Sequence, residues 1–408
     1  MIMKRSSKIV FLFVIFVLFF LPVLFSAQES SKEKMTVGGD VGYFKKNYTR
    51  FEGNAYVEKG TVRMTASSIE YFETNNLAIC RGSVVLNESK NGLKVYGGYS
   101  EYFGDSNVIK FYDSPSLTLT NKNIFLIGDT ILLDQKKELI VSEGNAILSN
   151  ESFVGSSHKI KVLSKENKVI FISNATIVSS NISVKSGLGI VYFTTNRQSK
   201  ETVIEKYVGV GEVEIFDGDS FLKSSNIVIN FFPNGEMKDY VATGNVLISN
   251  SNTLISSEYF RSVFTNKNKD IYHIGLTNVI LRDLRNGDII RGEYLFSDKV
   301  NNYEMVSINA EYISKEKGVT VKAETIERFT DDKFVYMRKN VIIETESIKI
   351  VGEIAKYDEI LKYMYVVGDP KVVSKDDLGI SANYIVLDVD KDRIEILNGS
   401  YGYVKPGM

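Results

Sequence analysis

There is no tryptophan in this chain of 408 residues, a single cysteine, two histidines and five prolines, and each scarcity closes off a class of answer. The lone Cys80 excludes an internal disulfide framework; at the end of a strand-like run it reads as a packed thiol. His158 and His273 stand far apart and at different phases of the pattern described below, so each reads as a polar strand residue rather than a base or ligand. The prolines fall at Pro22, Pro115, Pro233, Pro370 and Pro406, and none interrupts a strand-like run, where a missing N–H would break a ladder. Charge of one sign is also missing. Forty-nine Lys and Arg against fifty Asp and Glu, dispersed along the chain, leave no electrostatic footprint for nucleic acid. After residue 30 no useful stretch carries a 3.6-residue apolar period, which leaves a nearly all-β chain.

What is present is a repeat. A turn-forming residue, a small polar residue and two alternating apolar residues recur at Gly53, Gly82, Pro115, Gly144, Ser173, Gly211, Gly244, Thr277, Ile308, Lys339, Pro370 and Gly399. The period of about 31 residues marks an array of about eleven units in which no unit folds alone. Asn follows the restart at Asn54, Asn145, Asn174, Asn245, Asn278, Asn309 and Asn340, and Ser at Ser83, Ser116 and Ser400. These types close turns through their own side chains, so strands are expected to begin here. The apolar residues two and four places on define the inward face of a period-two strand; Ser374 alone departs from it.

A second column, 12 to 16 residues after each restart, is always small: Ala66, Gly98, Gly128, Ser157, Gly187, Ser225, Ser257, Gly292, Ala323, Gly352 and Ala382. Recurrence at one phase predicts a bend with close backbone approach in every unit. Apolar and aromatic residues then a third run follow, giving about three strands per unit. Asn91-Gly92, Asn234-Gly235 and Asn286-Gly287 add hairpin-turn signals.

Lys4, Arg5 and Lys8, the apolar run from Ile9 to Phe25 and then Ser26-Ala27 form an export leader. Seventeen apolar residues are also long enough to serve as an anchor in the inner membrane. The expected organisation is a signal peptide or anchor over 1–27, a linker over 28–48 and a continuous repeat domain over 49–408, exported to the periplasm. Candidate chemistry is sparse. Asp388, Asp390, Asp392 and Glu395 alternate as hard-cation ligands do, but fall in an inter-strand turn and lack the glycine that sharpens a calcium loop. Gly187-Leu188-Gly189 and Gly209-Val210-Gly211 have no helix behind them to cradle a phosphate.

The phrases Gly144-Asn145-Ala146-Ile147-Leu148, Gly244-Asn245-Val246-Leu247-Ile248 and Gly53-Asn54-Ala55, with strands such as Ser381-Ala382-Asn383-Tyr384-Ile385, resemble the organic-solvent-tolerance (OstA-like) repeat. The chain also resembles the LptA-like periplasmic bridge of lipopolysaccharide export, over residues 49–404. The resemblance implies an elongated β-jellyroll or folded-over sheet (β-taco). Acyl chains of a lipopolysaccharide-like glycolipid lie in its apolar groove, modules stack on other envelope transport proteins by their β-edges, and there is neither catalysis nor a cofactor. On that reading the groove is lined by Val84, Leu86, Leu117, Leu119, Leu148, Ile177, Val213, Ile215, Val246, Ile248, Val279, Leu281, Val341 and Ile343. The alternative is an exported structural or adhesive β-array whose interior is dry and carries no lipid.

Overall fold

The computed structural model describes residues 36–404 apart from 90–91, 121–123, 150–152, 180–181, 196–201, 266, 268 and 375–377. The leader and possible anchor, Asn91 and the Asp376-Asp377 pair lie outside the described residues. Twenty-eight strands and one 3-10 turn, Glu73–Asn75, account for nearly all of the rest, as expected of an all-β chain. The strands lie side by side as antiparallel neighbours, most of them joined in hairpins. Within the span read as a linker, Thr36–Gly38 and Val41–Lys45 are strands that pair with Tyr48–Lys59.

Only Pro115 and Pro370 directly precede strands, Ser116–Leu119 and Lys371–Ser374. The other restarts sit inside long ones. Strand Leu139–Ser149 contains Gly144-Asn145, with φ of +74° and +46°, and its pairing with Val154–Leu163 jumps there from Glu143 to Ala146. The same pair of left-handed residues occurs at Gly53-Asn54, Gly82-Ser83, Gly211-Glu212 and Gly244-Asn245, and without glycine at Ser173-Asn174, Thr277-Asn278, Ile308-Asn309 and Lys339-Asn340. Gly and Asn recur because they enter this region at least cost. Two left-handed residues bend the strand while the ladder resumes beyond them with the same face inward. In Leu77–Glu88 the buried residues are Cys80 before the kink and Val84, Leu86 and Glu88 after it. Each repeat is thus two long bent strands, not three straight ones.

Each long strand therefore contributes to two arms, a first arm on one side of the bend and a second on the other, while short strands such as Val108–Tyr112 and Ser116–Leu119 lie in one arm each. The apolar residue just past a kink pairs with the column residue of the next strand in Ala55 with Ala66, Ala146 with Ser157, Val279 with Gly292 and Val341 with Gly352, and with the residue before it in Val84 with Gly97 and Ala175 with Ser186. The small column exists because the bend brings the neighbouring backbone in. A Cβ on Gly292 would lie 2.9 Å from the carbonyl oxygen of Ser307, and one on Gly128 2.9 Å from that of Glu143.

Pro115 and Pro370 change the frame. Their left-handed pairs are Asp113-Ser114 and Gly368-Asp369, just upstream, so the strand is interrupted instead of bent. Leu117 and Val372 thereby fall in the row held elsewhere by the residue four places past a restart: Leu117 pairs with Val95 and Val372 with Ile350. Ser374 lies two residues beyond that row. Its departure from the apolar pattern is a frame shift, not a defect of the core.

The chain divides into two compact units. The first comprises the described residues up to Ile215 together with Val228–Glu236, the second Phe216–Ile227 together with Met237 onward. In the first unit the two arms face each other directly. Gly155 on the second arm has no room for a side chain because Phe171 of the first arm stands 2.5 Å from where its Cβ would be. Ser100 Oγ of the first arm lies 3.9 Å from Met64 Sδ of the second.

Candidate functional site

Most of the residues read as lining a groove are at the interior between the arms. Val84, Leu86, Leu117, Leu119, Leu148, Ile177, Val213, Val246, Val279, Val341 and Ile343 are buried, while Ile215, Ile248 and Leu281 are half-buried. Cross-strand register joins many of them into rows. On the second arm of the first unit one row runs Met64, Leu86, Val95, Leu117, Leu126, Leu148, Gly155, Ile177, Val184, every member buried. Opposite it, on the first arm, another runs Ile109, Leu133, Ile140, Val162, Val169, Val191, also buried throughout.

These rows meet around a cavity of about 30 Å³ lined by Val169, Phe171 and Val191 of the first arm and Leu148, Ile177 and Val184 of the second. That volume admits about one water-sized sphere and no acyl chain, and apolar cavities of this kind stay dry. Its one titrating edge is Tyr207, whose hydroxyl is 3.1 Å from Ser186 Oγ and whose acidity burial weakens, to a pKa of about 12. Cys80 belongs to the same interior; burial pushes its thiol up to about 11, so it is the packed thiol expected.

The second unit differs. Its second-arm row reads Ile248, Ile255, Leu281, Ile290, Tyr312, Val321, Ile343, Ile350. Val321, Ile343 and Ile350 are fully covered, but Leu281, Ile290 and Tyr312 are half-exposed. The first-arm row that is apolar in the first unit here reads Tyr240, Ser262, His273, Ser297, Glu304, Arg328. Ser262 and Ser297 are 1% exposed and His273 7%.

The polar groups of this row are only partly satisfied. Ser262 Oγ is hydrogen-bonded to His273 Nδ1, Ser297 Oγ donates to Glu304 Oε1 at 3.3 Å, and Lys299 Nζ lies 2.8 Å from the same carboxylate. Burial pushes the Glu304 carboxyl up, yet the Lys299 ammonium, with a smaller contribution from Arg328, acts against this and the net direction is below the ordinary carboxylate value. His273 Nε2 and Arg328 Nε are buried without a hydrogen-bond partner; the closest charge to His273 Nε2 is Asp270 Oδ2 at 3.7 Å, outside bonding range. Burying polar atoms in an apolar interior costs free energy unless each is paired.

Sequence reading placed His273 as a polar strand residue, which it is, but missed the row it belongs to. The signal lay four residues before each restart, where Ala78, Ile140 and Val169 give way to Tyr240, His273 and Glu304. His158 is exposed on the outer face. Asp388 accepts from the backbone N–H of Lys391 at 3.2 Å and from its ammonium at 3.0 Å, the bonding of a turn. Among the described residues no three His, Cys, Asp or Glu side chains are grouped to hold a metal. Both glycine pairs lie within strands, Ile182–Thr195 and Thr202–Asp217. Among the described residues no helix is long and apolar enough to cross a membrane.

No family model matches the chain, and no curated protein matches it. Among solved structures it is similar to the crystal structure of LptH, the LptA homologous periplasmic component of the conserved lipopolysaccharide transport device from Pseudomonas aeruginosa. Identity is 16%, over 28% of this chain and 84% of that one, with a TM-score of 0.26. Agreement at that level carries no argument for what this chain does.

Proposed function

We propose that this protein is a non-enzymatic carrier of acyl amphiphiles in the cell envelope, holding hydrocarbon chains between the two arms of the bent sheet. One observation carries the reading: in the first unit both arms turn continuous apolar rows toward each other, and the seam between them is hydrocarbon against hydrocarbon. An acyl chain presents the same surface as the opposite arm, so exchanging one for the other loses little of the roughly 25 cal/mol per Å² that burial contributes. The cargo class is a lipopolysaccharide-like glycolipid, the location the periplasm, and partner proteins join at the strand edges. The leader over 1–27 exports the chain, and 49–408 acts as one repeat domain.

A second reading, a structural array with a dry interior, is favoured by the small volume of the cavity and the burial of eleven of the fourteen candidate residues. One experiment separates the two. A photo-crosslinking residue is placed in cells at Val246, Ile248, Val279 and Leu281, with the outward Leu247 and Ile280 as controls. Glycolipid adducts at the inward positions alone support the carrier. Their absence at every position overturns it in favour of the dry array.

A further inference from the structure

The polar row of the second unit is the least expected feature of the interior. In the first unit the corresponding row starts Thr49, Tyr71, Ala78, Tyr102 and is then hydrocarbon from Ile109 to Val191, so a polar lane is no requirement of the bend. In the second unit it coincides in the strand register with the half-exposed stretch of the other arm. His273, Ser297 and Glu304 share the strands Asp270–Asp283, Ile289–Asp298 and Tyr303–Ser314 with Leu281, Ile290 and Tyr312, whereas the strands of Ser262 and Arg328 carry the buried Ile255 and Val321. The middle of the polar row therefore sits where the second arm is least covered.

The unpaired atoms define what is missing. If Ser262 donates to His273 Nδ1, the neutral ring carries its proton on Nε2, leaving a buried N–H without an acceptor. Arg328 Nε–H is a second such donor, but it lies three strands away in the register, on the strand of the fully buried Val321. The His273 donor lacks an acceptor, so a matching ligand supplies an oxygen lone pair. A full negative charge is a poor fit, because the Asp270 carboxylate already lies 3.7 Å from His273 Nε2, while Lys299 and Arg328 are already paired with Glu304 and Glu359. A neutral carbonyl oxygen beside a hydrocarbon chain satisfies both the His273 donor and Leu281 and Ile290.

We infer that this stretch of the second unit binds the ester or amide junction of an acyl chain. His273 Nε2 donates to its carbonyl oxygen, and the chain lies on Leu281 and Ile290. The inference rests on the carrier reading above and adds to it a place where cargo is recognised by chemistry, not by hydrophobicity alone.

The test uses the purified full chain and two probes matched in chain length, methyl palmitate bearing a mid-chain diazirine and the corresponding diazirine alkane. Labelled residues are mapped by mass spectrometry. The ester is expected to label the Leu281–Ile290 stretch about fivefold more than the alkane, the scale of one net hydrogen bond, with equal labelling by both probes around Leu148 and Ile177. His273→Leu should reduce the preference toward unity, and His273→Gln, which keeps a donor, should retain part of it; melting temperatures identify any variant that fails to fold. Equal labelling of Leu281–Ile290 by both probes, or a preference untouched by these substitutions, overturns this inference and leaves the carrier intact. No labelling by either probe at any interior position overturns the carrier and this site together.

Discussion

The ammonium of Lys317 donates to the hydroxyl of Tyr357 at 3.0 Å, joining a turn at the tip of the second arm to a strand of the first arm across forty residues of chain. Ser347 Oγ and Asp392 Oδ2, at 2.5 Å, make a similar bridge nearby. Where the second-arm row is half-exposed, at Leu281 and Ile290, the neighbouring hydrogen bond stays within one arm: Tyr312 donates to Asp288 Oδ2 at 2.8 Å. The second unit is thus tied between its arms at one stretch and less covered at another.

Tyr357→Phe removes the first tie without changing shape. Burial lowers the Lys317 pKa, but the bond to Tyr357 and nearby acidic groups raise it further, so its net direction is upward. A raised pKa contributes stability that is complete below the ordinary lysine value and lost as pH climbs through the raised one. The side chain is only part-buried, so the loss at neutral pH should be no more than about 1 kcal/mol. Chemical denaturation at pH 7 should show it, and the difference between wild type and variant should shrink at strongly alkaline pH.

Ile308 occupies a left-handed position, φ +64°, that a β-branched side chain enters only with strain, and it is half-exposed, so it has little packing to lose. Ile308→Gly should stabilise the chain by about 1 kcal/mol, less the flexibility that glycine adds to the unfolded state. A higher denaturant midpoint checks it; a fall of the same size would mean that Ile308 packs on something essential.

The two columns visible in the sequence correspond to the two halves of each bend, and the inward residues from Val84 to Ile343 were legible because a period-two strand with one covered face leaves them no other pattern. The position of the bend was not. Gly-Asn and Asn-Gly use the same residue types, and only backbone geometry tells a kink inside a strand from a turn between two. Pro115 and Pro370 then hid a frame shift, since a proline beside the left-handed pair resembles the pair itself. The polar row was missed because attention to restarts drew the eye to residues after the kink, whereas Tyr240, His273 and Glu304 lie before it.

Gly292 tests the bend from the other strand. A side chain there would place Cβ 2.7 Å from Val306 Cγ1 and 2.9 Å from the carbonyl oxygen of Ser307. Gly292→Val should cost about 1 to 3 kcal/mol, whereas Gly218→Val, at a turn where nothing lies within 4 Å, should cost only the strain of its positive φ. Equal losses for the two would mean that close approach is not what keeps the column small.

Cys80 gives a pH signature. Burial raises its thiol from an ordinary value of 9.0 to about 11, with a bond to Ser100 acting the other way. The folded chain holds the proton more tightly than the unfolded one. Stability is complete below pH 9 and falls as pH rises toward 11, by an amount on the order of 2 to 3 kcal/mol. Lysine and tyrosine titrate in the same range, so the measurement is the difference between wild type and Cys80→Ala. Cys80→Ala loses some packing at every pH, but the gap should narrow between pH 9 and 11.

Phe171 closes the interior of the first unit, 1% exposed and against the cavity that Leu148, Ile177 and Val191 share. Phe171→Ala should cost about 3 to 5 kcal/mol, and because the surrounding strands are held by their ladders the space should persist instead of collapsing. A dry apolar cavity that size takes small hydrocarbons. Benzene should therefore raise the melting temperature of the variant and leave wild type unchanged. Stabilisation of the variant would show that the arms can accept hydrocarbon in place of each other's side chains, the physical premise of a carrier. A variant destabilised as expected but indifferent to benzene would show arms that close over any vacancy, as a structural array requires.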